Sequence, residues 1–200
     1  MRLNARFCAL TLIALAPAAH AIPDENGVIT SIPAPDLSQD AAMSARLNYN
    51  VGFEKFEQTT KLETAKGAAS AVREGFVEAR EKFRKAVEAD PNLKEAWNLI
   101  GYTSRRLGDY TESLKAYEMA LKLAPDYPEA TEYLAELYLL TGRLDDVKTS
   151  FAKLLKSSPS YANTLLTSMR AWVKSAKPEG VSAAQRDAFA SWVSGQSVKL

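Results

Sequence analysis

Two glutamates, Glu132 and Glu136, lie four residues apart, so on a helix their carboxylates share one face. Such a pair can share a proton or bind a hard cation, and two carboxylates suffice to hydrolyse a glycoside. No second acidic pair and no aromatic subsite accompany them, and glutamates at this spacing are common on solvated helix faces. We therefore expect a non-catalytic protein without a cofactor or resident metal. A carboxylate-dependent glycan or cell-wall processing enzyme is the alternative.

The start of the chain, MRLNARFCALTLIALAPAAHA, predicts a secretory signal peptide over residues 1–21. Arg2 and Arg6 precede a short apolar run, and Ala19-His20-Ala21 has the small residues of a cleavage site. The apolar run is too short to span a bilayer as a helix. We expect export to the periplasm or beyond, with no stable membrane anchor after cleavage.

Cleavage after Ala21 removes the only cysteine and the only histidine, Cys8 and His20. The mature chain, which begins at Ile22, then has neither a thiolate nor an imidazole for catalysis, nor the usual ligands of zinc. Its basic and acidic residues almost balance, at 23 and 24, so no charge excess attracts nucleic acid. These counts leave recognition of a protein or peptide as the main expectation.

The chain beyond the signal peptide divides into a leader and a series of helices. Residues 22–39 carry three prolines and few large apolar side chains, which indicates a flexible leader. From Asp40 onward the apolar residues recur at helical spacing, and no segment alternates with the period of a strand. Similar residues also recur 34 positions apart, as at Tyr117 and Phe151 or at Pro125 and Pro159. The pattern predicts an all-α domain of repeated helical hairpins over residues 40–177.

Residues 94–127 resemble a tetratricopeptide repeat, and residues 128–161 resemble a second in-register copy. The positions that carry the resemblance in the first copy are Trp97, Ile100, Gly101, Ser104, Ser113, Tyr117, Ala120 and Pro125. Their counterparts are Thr131, Leu134, Ala135, Tyr138, Val147, Phe151, Leu154 and Pro159. Ser104 and Thr131 depart from the pattern by losing an aromatic side chain. The resemblance implies a solenoid of about three hairpins, a fold that serves many unrelated partners.

An earlier, irregular repeat spans about residues 45–93. Its second helix fits the pattern, but the glycine that matches Gly101 is Gly52, which lies further upstream than one repeat length. The excess length predicts an insertion at 59–73, which adds about two turns to each helix on either side of Gly67. A loosely ordered loop is the other interpretation.

The end of the chain carries the signals of a cap. Leu165, Leu166, Met169 and Trp172 form an apolar stripe, which predicts that a helix over 162–177 covers the last repeat. Residues 178–200 are expected to hold a short final helix that begins at a capping box with Ser182, and a tail.

The resemblance also implies which residues face the concave groove of the solenoid: positions 2, 5, 9, 12 and 13 of each first helix. Their helical spacing places them within about half a turn of each other. In the three repeats these positions hold Arg46, Tyr49, Phe53, Phe56 and Glu57; Glu95, Asn98, Tyr102, Arg105 and Arg106; and Glu129, Glu132, Glu136, Leu139 and Leu140.

We expect a partner-binding groove with an aromatic end, a central polar part and an acidic end. Its candidate partner-binding residues are Tyr49, Phe53, Asn98, Tyr102, Arg105, Arg106, Glu132 and Glu136. The alternative is that the aromatic residues pack beneath the leader or the extended hairpin while the glutamates form a solvated face. Relatives that clamp a terminal carboxylate use lysine and asparagine where Asn98 and Tyr102 stand, so that clamp is not expected. The sequence thus favours an envelope scaffold or adaptor of unknown oligomeric state.

Overall fold

The computed structural model describes residues 37–175 and 180–199, and all of their regular structure is helical. The helices are α1 (Leu37–Thr64), α2 (Ala69–Ala89), α3 (Lys94–Leu107), α4 (Tyr110–Leu123), α5 (Pro128–Leu140), α6 (Leu144–Ser157), α7 (Pro159–Ser175) and α8 (Ala183–Ser194). None of these helices is long and apolar enough to cross a membrane. The predicted signal peptide, nearly all of the leader and residues 176–179 lie outside the described residues. The expected all-α repeat solenoid is confirmed.

Glycine and proline end the helices where the repeat pattern places them. Gly108 and Gly142 adopt positive φ angles of 85° and 72° between the two helices of a hairpin, a conformation that favours glycine. Each second helix of a hairpin ends before a proline, with Asp90, Ala124 and Ser158 as the terminating residues. These helices end there because the residue before a proline is pushed out of the helical region.

The irregular first hairpin is a long helical pair. Helix α1 continues to Thr64 and α2 begins at Ala69, so the inserted residues extend both helices, as expected, and do not form a loop. A methyl group added to Gly52 would lie 2.9 Å from the Phe83 ring, and one added to Gly101 would lie 2.5 Å from the Tyr117 ring. The same close contact of glycine with an aromatic ring supports the alignment of α1 with α3.

Helices α7 and α8 close the last repeat. Leu165, Leu166, Met169 and Trp172 are buried in one cluster with Phe151 and Leu154 of α6. Helix α8 adds Phe189 and Val193 to the same cluster, and its capping box at Ser182 is present. The final helix is therefore part of the solenoid core and not a separate appendage.

Ser104 departs from the repeat pattern because polar contacts replace an aromatic one. Its hydroxyl donates to Oε2 of Glu112 over 2.6 Å. Arg80 and Arg84 of the preceding hairpin contact the same carboxylate at 2.9 Å and 2.5 Å. The small side chain of Ser104 leaves room for this charged network, which links the first two hairpins.

Candidate functional site

The first helices of successive hairpins contact one another on the predicted concave side. The Tyr102 ring of α3 lies 5.0 Å from the Phe56 ring of α1 and 5.1 Å from the Tyr133 ring of α5. Tyr49 packs on Phe53 at 6.0 Å. Side chains from three repeats therefore meet on one surface, as helical spacing indicated, and they form a continuous aromatic row.

A buried ion pair lies beside this row. The Arg105 guanidinium lies 2.8 Å from Oε2 of Glu136, and 5.2 Å from the centre of the Tyr102 ring. The Ser168 hydroxyl of α7 donates to the other oxygen of Glu136 over 2.7 Å. Only 8% of the Arg105 side chain and 16% of the Glu136 side chain are exposed. This network connects α3, α5 and α7 across the repeat boundaries.

A group of carboxylates and tyrosines lies near the N-terminus of α5. Glu129 accepts a hydrogen bond from the Tyr127 hydroxyl over 3.3 Å, and the Tyr133 hydroxyl lies near enough to lower its pKa. Burial raises the pKa of Glu129; the two tyrosine hydroxyls oppose the shift, and the nearby Glu95 charge adds to it. Glu95 and Glu129 occupy position 2 of consecutive repeats and both are half-buried. We call Glu95, Glu129 and the deeper Glu132 the carboxylate patch.

Asn98 and Glu132 occupy position 5 of the same two repeats, one turn after Glu95 and Glu129, and they are more deeply buried than those two residues. They are 1% and 2% exposed. Oδ1 of Asn98 and Oε1 of Glu132 are both buried without a hydrogen-bond partner. Burial raises the pKa of Glu132 well above its usual range; the charge of Glu136 adds to the shift, and the charge of Arg105 opposes it. Buried acceptors without donors are uncommon, because each costs about 1–3 kcal/mol.

Two models of the tetratricopeptide repeat match the chain, one over residues 70–128 and the other over residues 105–175. Together they span hairpins that the structure shows stacked in register. This chain is a tetratricopeptide-repeat protein. Repeats of this kind generally act as scaffolds for protein–protein interaction.

Curated relatives share parts of this tetratricopeptide-repeat protein. Protein FlbA of Caulobacter vibrioides is 28% identical over 106 residues, which are 51% of this chain and 17% of FlbA. Protein O-mannosyl-transferase TMTC1 of Mus musculus is 39% identical over 70 residues, 35% of this chain and 7% of the relative. Superkiller complex protein 3 of Mus musculus is 31% identical over 78 residues, 39% of this chain and 5% of the relative. The repeat protein thus spans only a small part of the length of each of these relatives.

The expectation of an open groove was wrong for most of the candidate residues. Tyr49, Asn98, Tyr102 and Glu132 are all buried, and Arg105 and Glu136 are largely enclosed. The physical reason is that neighbouring first helices approach closely enough for their side chains to fill the concave floor. Burial also raises the pKa of Tyr102 to about 12. The glutamates therefore do not form a simple solvated face.

Phe53 and Arg106 remain accessible. Phe53 is half-buried beside Tyr49, while Arg106 forms an ion pair with Glu63 of the extended first hairpin. The Arg106 guanidinium also lies 5.8 Å from the centre of the Phe76 ring. Arg106 thus turns toward the extended hairpin and away from the patch.

Sequence reasoning missed Tyr127 and Tyr133 because neither occupies a groove position of the repeat pattern. Tyr127 precedes Pro128, the first residue of α5, and Tyr133 directly follows Glu132. The sequence signal that could have found them is that each tyrosine lies within one helical turn of a glutamate at groove position 2 or 5. A tyrosine beside a half-buried carboxylate supplies a hydroxyl donor and an apolar ring.

The glutamate pair that suggested catalysis is poorly placed for it. Both oxygens of Glu136 are engaged, one by Arg105 and one by Ser168, so this carboxylate is not free to act as a base or a nucleophile. Among the described residues no group of three or more carboxylates is arranged to hold a metal ion.

Proposed function

We propose that this tetratricopeptide-repeat protein is a non-catalytic scaffold or adaptor of the bacterial cell envelope. It binds a protein or peptide on the concave side of its solenoid. The observation that carries the proposal is the single surface that α1, α3 and α5 build together, with a half-buried carboxylate rim above an aromatic floor. Charged groups that border partly buried aromatic side chains on a shared concave face are typical of recognition surfaces.

Buried residues of the floor are unsuitable for testing this function, since their replacement would disturb the fold. Arg46 and Leu140 occupy groove positions at opposite ends of the concave face and are exposed. Lys85 and Lys115 are exposed on the second helices α2 and α4. These four positions form a matched set for crosslinking.

We expect a photoreactive benzoylphenylalanine at position 46 or 140 to crosslink the same partner in the native host. The same group at position 85 or 115 should give no such adduct, because those side chains project from second helices. Mass spectrometry of the adducts identifies the partner. An adduct that forms at 85 or 115 and at neither concave position would place the binding surface on the other side.

The proposed location rests on the sequence of residues 1–21, with its basic start, apolar run and small-residue cleavage site. We expect intact mass and N-terminal sequencing of protein from the periplasm to show Ile22 as the first residue. Blocking the signal peptidase should cause the longer form to accumulate. A cytoplasmic product that retains residues 1–21, or a product with lipid attached to Cys8, would contradict export by cleavage.

A further inference from the structure

The glutamates of the carboxylate patch form few ion pairs within the described residues. Glu136 is neutralised by Arg105, but neither Glu129 nor Glu132 lies within 4 Å of a basic nitrogen in residues 37–175 and 180–199. Glu95 has only Lys94, at 3.7 Å, and both side chains are about two-fifths exposed. Such an exposed pair is weak. The patch therefore holds carboxyl groups in a partly buried place, where burial disfavours their ionised forms and a bound cation would favour them.

The floor of the patch adds an independent requirement for hydrogen-bond donors. Oδ1 of Asn98 and Oε1 of Glu132 accept nothing although both side chains are almost fully buried. Asn98 lies one turn beyond Glu95 on α3, and Glu132 lies one turn beyond Glu129 on α5. A group that carries several N–H donors satisfies both oxygens, and donation to Glu132 would also favour its ionised form.

The walls of the patch suit a cation with an aliphatic stem. Tyr49, Tyr127 and Tyr133 are largely buried around Glu95 and Glu129. The ammonium of Lys94 already lies 5.3 Å from the centre of the Tyr127 ring. Ring faces at this distance attract ammonium and guanidinium groups.

We propose that the carboxylate patch binds a cationic side chain of the partner polypeptide, a lysine or an arginine, between Glu95 and Glu129, with Asn98 and Glu132 as acceptors beneath it. This inference rests on the proposed function, since it specifies the chemistry of the partner. It also accounts for the two unpaired oxygens, which a partner group without N–H or O–H donors would leave unsatisfied; a neutral amide supplies donors but no charge to oppose that of the carboxylates. A quaternary ammonium would fit the tyrosines but would leave those oxygens without donors.

The test uses small probes and the 15N-labelled full chain. Nα-acetyl-lysine N-methylamide and its arginine counterpart should each shift the backbone amide signals of α3 and α5 around Glu95, Asn98, Glu129 and Glu132. The Nε-trimethyl-lysine probe keeps the charge but loses the donors, so its Kd should be at least about fivefold higher. The norleucine probe keeps the stem without the charge and should not bind. Equal binding of the trimethyl probe, or of the norleucine probe, would overturn the proposal.

Two substitutions separate a specific site from general charge. Glu129→Gln and Glu132→Gln should each raise the Kd of the lysine and arginine probes by about fivefold or more. Glu88→Gln removes an exposed carboxylate from α2 and should leave the Kd unchanged. The thermal midpoint of Glu132→Gln should not fall, because burial already disfavours the charged form of Glu132 and a neutral amide of similar shape replaces it. Equal losses of affinity in Glu88→Gln and Glu129→Gln would show that only overall charge matters.

The outcomes also distinguish the proposed binding of a cationic side chain from the proposed scaffold function. If the crosslinkers at Arg46 and Leu140 capture a partner and the lysine and arginine probes fail to bind, the concave surface is a binding surface but its ligand is not a cationic side chain. If neither the crosslinkers nor the probes find a ligand, both proposals fail together.

Discussion

Replacement of Arg105 by alanine should lower the free energy of unfolding by about 3–5 kcal/mol. The substitution leaves the Glu136 carboxylate, which is largely enclosed, without its cation. It also removes the guanidinium from the Tyr102 and Tyr133 rings, whose centres lie 5.2 Å and 6.0 Å away. Urea unfolding followed by circular dichroism measures the loss. A change below about 1 kcal/mol, the usual value of an exposed pair, would show that the ion pair does not stabilise the solenoid.

Two controls separate charge from packing at this position. Lys148→Ala breaks an exposed pair with Asp145 and should cost less than about 1 kcal/mol. The double variant Arg105→Met with Glu136→Leu replaces both charges by apolar groups of similar size. It should recover most of the stability, since a buried ion pair is often no better than well-packed apolar side chains. If the double variant is as unstable as Arg105→Ala, the loss arises from packing and not from an uncompensated charge.

The repeat architecture was predictable because local rules determine it. Gly108 and Gly142 end first helices. Second helices end before Pro91, Pro125 and Pro159, at the positions expected from the repeat spacing. The long first hairpin also followed from the sequence, since Gly52 precedes Gly101 by more than one repeat length. In the structure an added methyl group at Gly52 would meet the Phe83 ring, as one at Gly101 would meet the Tyr117 ring. Each of these features depends on a few neighbouring residues and on the period of the helix.

The state of the concave face was not predictable in the same way. Spacing along a helix gives the direction of a side chain, but it does not give the distance to the next helix. Tyr102 points to the concave side as expected, yet Phe56 and Tyr133 from the two adjacent helices cover it. The pairing of Arg105 with Glu136 likewise links two consecutive repeats through residues on different helices. Contacts between separate repeats therefore decide which groove positions are surface and which are core.

Trp172 packs its large aromatic side chain into the C-terminal cap. Its side chain is 6% exposed, and its ring meets that of Phe189 edge to face, with the ring centres 5.4 Å apart. Through this contact α7 and α8 are held on the core of the last hairpin, which includes Phe151 and Leu154. A solenoid without its terminal cap exposes such a core to water.

Trp172→Ala should therefore lower the free energy of unfolding by about 3–5 kcal/mol, as the truncation of a large buried aromatic does. Because each repeat depends mainly on its neighbours, hydrogen exchange should accelerate first in α5 to α8, while α3 retains more of its protection. Trp172→Phe keeps an aromatic ring in the cap and should cost roughly half as much or less. An unchanged urea midpoint for Trp172→Ala would mean that α7 does not cover the core. Equal acceleration of exchange in every helix would mean that the cap stabilises the whole solenoid as a single cooperative unit.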